Sequence, residues 1–377
     1  MRARVARCWG WSGLLVLLAL VAPAARALVL LNWNVGGNGA TDWSTNAPQV
    51  QAIGRIVSYL KPDVLTLQEI PFEQSWQMDR FVERYLPGYF VARNSGTDGY
   101  TRSVILSRHP IVRSTSWLDG APLSEFGSTA RFARDLFEAE IAAPEFPAPL
   151  HVFTTHLKAG STADEDFERR AAEAGAISNF FVKTFLPSRG ARPYVLTGDL
   201  NEDIGRPNAK SRQAVQRLVN AATGLKLTTP TNPANGDDRT WSSRLASLSV
   251  RYDYILPGTF LATNSVRSQV FRTATLNTLP PELRREDDRT ASDHLPLLMV
   301  FRSPNAPPFL VRLALADERA VRLTWAAVPE YLYWVEATSD LAQWTRLAGP
   351  LNTRGDAIDY EVPLGTGGTF FRIRRVP

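Results

Sequence analysis

Apolar positions along this chain fall into two patterns, which together predict a mixed α/β domain followed by an all-β one. Short apolar runs bounded by turn residues read as buried strands. They cover residues 28–35, 64–67, 89–92, 104–107, 111–116, 131–142, 150–155, 194–197, 251–256 and 295–301. Between them, Val50, Ile53, Ile56, Val57 and Leu60 recur at helical spacing, with Asn46 as an N-cap near Pro48 and Lys61-Pro62-Asp63 as the stop. Residues 72–85, 164–185 and 211–220 carry further helical patterns, and 223–250, rich in Thr, Asn, Pro and Gly, reads as loop. Strands and helices mix without strict βαβ alternation, which predicts two sheets packed face to face with helices outside. Beyond Pro304 to Pro308 the pattern turns to period two, as in Val311, Leu313 and Leu315, then Val321, Leu323 and Trp325. That predicts a small C-terminal β-sandwich, to which the sequence assigns no chemistry.

The first residues stand outside this pattern. Arg2, Arg4 and Arg7 precede an apolar stretch from Leu14 to Val21, and Ala25-Arg26-Ala27 supplies the small residues of a cleavage site. Residues 1–27 therefore read as a signal peptide, with an uncleaved membrane anchor as the alternative that a short apolar core disfavours. The expected location is secreted or periplasmic, in the cell envelope. Taking away those four arginines, with no acidic residue beside them, lowers the formal charge from +5 to +1, so overall charge is no argument for nucleic-acid binding. The only cysteine, Cys8, lies in the leader, which excludes disulfides and thiol catalysis from the exported chain. The expected organisation is a signal peptide (1–27), a large domain (28–302), a proline-rich linker (303–308) and a small β module (309–377).

Chemistry gathers where the strands end. Tyr194-Val195-Leu196-Thr197-Gly198-Asp199-Leu200-Asn201 is a buried strand delivering a carboxylate and a carboxamide two residues apart. Alternation points residues i and i+2 the same way, and such a pair suits a hydrated divalent cation with a phosphate upon it. The same letters also serve an ordinary strand-to-turn junction, so the stretch alone leaves both readings open. Other apolar runs end alike: Leu31-Asn32-Trp33-Asn34, Leu67-Gln68-Glu69, Thr154-Thr155-His156, Tyr252-Asp253-Tyr254 and Ser292-Asp293-His294-Leu295. Acids and imidazoles beside buried strands are costly unless partners or a metal offset them. Of the four histidines, His109 in a turn and His151 at a strand start read as structural.

As an ordered set, these motifs resemble the endonuclease/exonuclease/phosphatase superfamily over about residues 28 to 302. The resemblance implies a four-layer α/β sandwich, two packed mixed sheets flanked by helices, joined here to the small C-terminal all-β sandwich. It also implies hydrolysis of phosphate esters with Mg2+ or Mn2+. By the same resemblance, Glu69, Asn34 and Asp293 surround the metal, and Asp199 and Asn201 polarise the attacking water and hold a phosphate oxygen. His294 acts as base, oriented by Asp253, and His156 binds the phosphate or helps protonate the leaving oxygen. No nucleophilic serine or cysteine motif is visible, which favours direct attack by water.

Two departures bear on the substrate. Ile70-Pro71 stands where deoxyribonuclease-type relatives place a groove-entering arginine, and the strand opening at Tyr100-Thr101-Arg102 lacks their histidine-pairing glutamate, Asp98 being nearest. Arg102 is instead a candidate phosphate contact. Trp43, Tyr100 and Trp241, in loops expected at the mouth of the site, suit either stacking on bases or plain packing. The expected partner is a phosphodiester, nucleic acid foremost, with no stable protein partner and no membrane contact after cleavage. A phospholipid head-group hydrolase and an inactive binding protein on the same scaffold are the alternatives.

Overall fold

The computed structural model describes residues 27–376 apart from 147, 161–162, 190–191, 208–209, 244–246, 304–310, 318–319, 328–331, 341, 354–356 and 364–369. All but the last residue of the leader, and most of the linker, read from the sequence lie outside the described residues. Strands β1 (Leu28–Asn34), β2 (Val64–Pro71), β3 (Phe90–Arg93) and β4 (Thr101–Ser107) build one sheet with β10 (Ser265–Val270) and β11 (Leu297–Phe301), in the order β10-β11-β1-β2-β4-β3. Strands β5 (Ile111–Trp117), β6 (Leu136–Ile141), β7 (Leu150–His156), β8 (Tyr194–Asp199) and β9 (Asp253–Pro257) form the second in sequence order. Helices α1 (Pro48–Leu60) and α2 (Gln77–Tyr85) cover the first sheet. Helix α3 (Asp164–Phe180) passes through a π-helical segment, Phe181–Phe185, into α4 (Leu186–Arg189), and with α5 (Gln213–Leu218) it covers the second. The four layers are those expected.

The inward face of each central strand changes character along its length. Leu28 and Leu30 of β1, Val64 of β2, Leu150 and Val152 of β7, Val195 of β8 and Ile255 of β9 pack between the sheets. Two residues further on, the same faces become polar. Thr197 Oγ1 donates to Thr66 Oγ1 at 2.9 Å, Thr66 Oγ1 to Asn32 Oδ1 at 2.9 Å, and Gln68 Nε2 to both Asn32 Oδ1 (2.9 Å) and Thr154 Oγ1 (2.8 Å). This ladder ties one sheet to the other in the layer beneath the site. Each bond is worth only ~0.5–1.5 kcal/mol net, but stranding one buried partner costs ~1–3 kcal/mol, so the ladder fixes sheet spacing more than it adds stability.

Several details differ from the sequence reading. Ala47, not Asn46, precedes α1, and no side chain caps it; Pro48 at the first turn sets the start instead. The pattern at 72–85 is split into a 3-10 turn at Phe72–Gln74 and α2. β10 and the short helices α6 (Thr259–Thr263) and α7 (Asp287–Ala291) were not anticipated. The sequence Ser-Val-Arg-Ser-Gln-Val is mostly half-exposed along an edge, so it lacks the alternation that marks a one-sided strand. Strands β12 (Val311–Asp317), β13 (Ala320–Ala326) and β16 (Ala357–Pro363) form one antiparallel sheet, and β14 (Leu332–Thr338), β15 (Thr345–Leu351) and β17 (Phe370–Val376) the other. Their core, with Leu323, Trp325, Tyr333 and Val335, is continuous with Ala27 and Val300, so the module packs on the base of β1 and β11, away from Asn34. No helix among the described residues is long and apolar enough to cross a membrane.

Candidate active site

Strand register assembles one half of the site. His156 is paired with Asp199 across β7 and β8, and Asp199 with Asp253 across β8 and β9, so three strands set imidazole and two carboxylates side by side. Gly198 makes this possible: at φ 150 its missing side chain leaves room for the Thr155 carbonyl oxygen, which a Cβ would meet. The other half comes from the facing sheet. Asn34 ends β1, and its Nδ2 donates to Glu69 Oε1 at 3.0 Å and to Asp199 Oδ2 at 2.9 Å, bridging the two sheets through a pair of acids. Glu69 sits at an irregularity of the β2–β4 pairing with φ 58, a left-handed conformation that turns its carboxylate off the strand. Such a backbone in a non-glycine residue costs of order ~1–3 kcal/mol and persists only where the surroundings impose it.

Asp199 lies at the centre. His156 Nε2 is 3.5 Å from Asp199 Oδ2 and 3.9 Å from Glu69 Oε1, while His294 Nε2 is 3.7 Å from Asp199 Oδ2. Glu69, His156 and Asp199 thus form one group of closely spaced ligand atoms, and Asp199, Asp253 and His294 a second. The first offers two carboxylates and one imidazole to a divalent cation, while Asn34 turns its amide NH2 toward both acids and its Oδ1 accepts from Gly36 N at 3.0 Å, so this carboxamide positions the acids. His294 Nδ1 is 2.8 Å from Asp253 Oδ2, and Thr240 Oγ1 donates to that same oxygen at 2.6 Å. Trp33 Nε1 donates to the His294 carbonyl at 2.9 Å, and Ser292 Oγ to the Asn34 carbonyl at 2.8 Å, which fastens the segment before β11 to β1.

Electrostatics divide the two histidines. Burial, with Arg134 and His294 nearby, holds the His156 pKa well below the usual imidazole range, so this ring is neutral. Burial also opposes charge on His294, but Asp253 and Asp199 outweigh it and push its pKa up to about 10. Burial pushes Asp199 up to about 7, against the pull of His294 and the Asn34 hydrogen bond. For His294 the sign is clear. A raised folded-state pKa contributes stability that is full below its unfolded value near ~6.5 and is lost as pH rises through about 10. In metal-free protein, Asp253→Asn is expected to lower the His294 pKa from about 10, because burial remains while one of the carboxylates that raise it is lost. Imidazole NMR titration reads this directly, and an unchanged His294 titration would break the assigned pairing.

The remaining expected residues are placed less uniformly. Asn201 lies past the end of β8 with φ 50 and donates from Nδ2 to the Leu157 carbonyl at 3.2 Å, so strand alternation does not align it with Asp199; Thr197 is the residue that shares that face. Asp293 is exposed, stands outside both ligand groups, and accepts from Trp241 Nε1 at 2.9 Å. Arg102, partly buried, lies over the Phe72 ring at 4.5 Å, beside Glu69 in the β2–β4 pairing. Trp43 is buried in the core under α1, a packing residue. His151 is buried against Glu138 at 2.6 Å, and His109 lies 3.3 Å from Glu145, both structural as expected. Asp98 does not reach His156: it pairs with Arg134 at 2.6 Å, Arg134 Nη1 donates to the His156 carbonyl, and His156 Nδ1 has no partner among the described residues.

Sequence reasoning missed the supports. Thr240 hides in a loop whose composition reads only as turn. Arg170 Nη1 donates to the carbonyls of Lys158 and Gly160, and Glu173 Oε2 accepts from Lys158 N at 2.8 Å, so one face of α3 clamps the loop after His156. Buried arginine and glutamate three apart were the available signal, obscured by the charged run around them.

The model of the Endonuclease/Exonuclease/phosphatase family matches residues 31–294. Among solved structures, an endonuclease/exonuclease/phosphatase from Beutenbergia cavernae is similar at TM-score 0.53 and 18% identity, covering 93% of this chain and 100% of its own. An AP endonuclease from Archaeoglobus fulgidus (TM-score 0.53, 21% identity, 73% of this chain, 99% of its own) and a 3'-5' exonuclease from Neisseria meningitidis (0.51, 20%, 73%, 100%) share the fold. No curated protein matches the chain.

Proposed function

This chain belongs to the endonuclease/exonuclease/phosphatase family, and we propose that it is an exported, divalent-metal-dependent phosphodiesterase that hydrolyses its substrate by direct attack of water. The observation that carries the reading is the convergence on Asp199 of two groups, Glu69 with His156 and Asp253 with His294. A phosphodiester resists water because its anionic oxygens repel the nucleophile. In this reading Glu69 and Asp199, fixed by the Asn34 amide that donates to both, would hold a Mg2+ or Mn2+ ion, whose charge would offset that repulsion. Asn201 and neutral His156 contact phosphate oxygens. His294 takes the proton of the attacking water, and Asp253, fixed by Thr240, keeps the ring oriented and stabilises its charged form. Before it can accept a proton His294 must lose one, and Asp199 helps hold that proton; any loss of negative charge on Asp199 returns His294 toward its ordinary pKa.

Nucleic acid is the preferred substrate class. The half-exposed Trp241 lies 6.3 Å from the His294 ring, and Tyr100 is 73% exposed on the loop before β4, so both offer planes on which bases can stack. The AP endonuclease and the exonuclease named above are nucleases on the same fold. The leader read in residues 1–27 supports export, and the C-terminal module, docked at the opposite end of β1 from Asn34, is assigned no catalytic part. Purified mature protein is expected to hydrolyse bis-p-nitrophenyl phosphate and DNA with Mg2+, to stop when EDTA is added, and to lose the activity in Asp199→Ala. Full turnover in EDTA, or in that variant, would falsify the proposal.

A further inference from the structure

Two strands away from Asn34 lies a cavity of about 180 Å³ that the reaction above does not use. One wall is the turn containing Asn232; the other is the segment leaving β10, with Gln269, Val270, Phe271, Arg272 and Asn277. β10 and β1 both run antiparallel to β11 between them, so Val270 and Asn34 end on the same rim of the sheet. With strands ~4.8 Å apart, the end of β10 stands on the order of 10 Å from the end of β1, and Gln269 and Phe271 face the α1 side of the sheet, so a substrate strand reaches the cavity from the metal-binding group over the sheet's rim.

The lining chemistry is selective. The volume is well below the ~300–1,000 Å³ that encloses a drug-sized ligand, so the space suits a single small ring system. Val270 and Phe271 are buried and give an apolar wall. Asn232 is committed to the structure: its Nδ2 donates to Thr275 Oγ1 at 3.0 Å and its Oδ1 accepts from Ala234 N at 2.9 Å. Gln269 and Asn277 differ, since among the described residues neither carboxamide has a partner. A carboxamide presents a donor and an acceptor side by side, which matches the edge of a nucleobase in a bidentate way. Arg272, 3.4 Å from Asp288, adds positive charge at the border.

We infer that this cavity is a subsite for one nucleobase of the substrate strand, a few nucleotides from the bond that is cut; the inference rests on the phosphodiesterase reading above. The two walls lead straight into the site. The Asn232 turn continues through Asp237 to Thr240, which holds Asp253, and Asp288 lies on α7, which runs into Ser292, Asp293 and His294. A base seated between them anchors the strand while the phosphate is presented to Asp199.

The full chain tests this with single-stranded oligonucleotides carrying one abasic position, scanned along the sequence, and with bis-p-nitrophenyl phosphate as a base-free substrate. One abasic position, displaced from the cut, is expected to raise KM about 10-fold, the discrimination a good bidentate pair gives. Gln269→Leu and the exposed Asn277→Ala are expected to raise KM for the intact oligonucleotide to a similar degree, to be indifferent to that abasic position, and to hydrolyse bis-p-nitrophenyl phosphate at the wild-type rate. Wild-type KM for the intact oligonucleotide in both variants overturns the subsite. If wild-type protein cleaves no phosphodiester, the proposed function fails instead. The subsite is then decided by NMR with adenosine and thymidine on metal-free protein: shifts confined to the Gln269 and Asn277 side chains uphold it, and their absence overturns it.

Discussion

His294→Ala is expected to lower kcat for bis-p-nitrophenyl phosphate by about 10²–10⁴-fold, the range that a positioned general base supplies. At ~1.36 kcal/mol per decade this corresponds to roughly 3–5 kcal/mol of barrier. The size follows from the surroundings of the ring. His294 is buried, its Nδ1 is held by Asp253 and its backbone is pinned by Trp33 and Ser292, so no mobile side chain can take its place. Solvent water can remove the proton but cannot be held there at the same angle. The contrast is His109→Ala, which removes an imidazole beside Glu145 at the base of the sheets and is expected to leave kcat within about twofold, the usual result away from a site. Equal losses in the two variants would mean that the effect is general destabilisation, and His294 would lose its role.

Much of this site is legible in the sequence alone, and the reason is physical. A strand whose apolar run stops at an acid or an imidazole announces both its direction and its end. Asn34, His156 and Asp199 are therefore found where their strands predict them, on inward faces that turn polar in their last residues, whereas Asp253 opens β9 and reaches the same end because β9 runs antiparallel to β8. What composition cannot show is geometry imposed from outside the local segment. Asn201 was expected to follow alternation from Asp199, but the chain has already turned into a left-handed conformation there. Asp293 shares a tripeptide with His294 yet faces solvent and Trp241, because β11 begins only at Leu297 and the preceding residues follow no strand period. Asp98, the nearest carboxylate to the place where relatives pair their histidine, is captured by Arg134 from the far side of a long loop. Thr240 is one of many threonines in a turn-rich stretch, and only the fold brings it to Asp253.

Glu69 is where local preference and function conflict most sharply, and two substitutions separate them. Glu69→Ala and Glu69→Gly both remove the carboxylate beside Asp199, and both are expected to lower metal-dependent turnover on the order of 10³-fold, since a cation at the phosphate is worth several kcal/mol. Their stabilities are expected to differ. Alanine keeps a side chain at φ 58, where its Cβ crowds the backbone, whereas glycine adopts that conformation freely. Glu69→Gly is therefore expected to be more stable than Glu69→Ala by about 1 kcal/mol in urea unfolding without metal. The neighbourhood leaves little room for the alanine variant to relax. Gly37 lies so close to the Glu69 carbonyl that a Cβ on it would collide, and β4 resumes its pairing with β2 at Ile70. Equal stability in the two variants would show that position 69 carries no strain, and the left-handed turn would then be incidental to the carboxylate's place. Retained turnover in either one would remove Glu69 from the metal-binding group altogether.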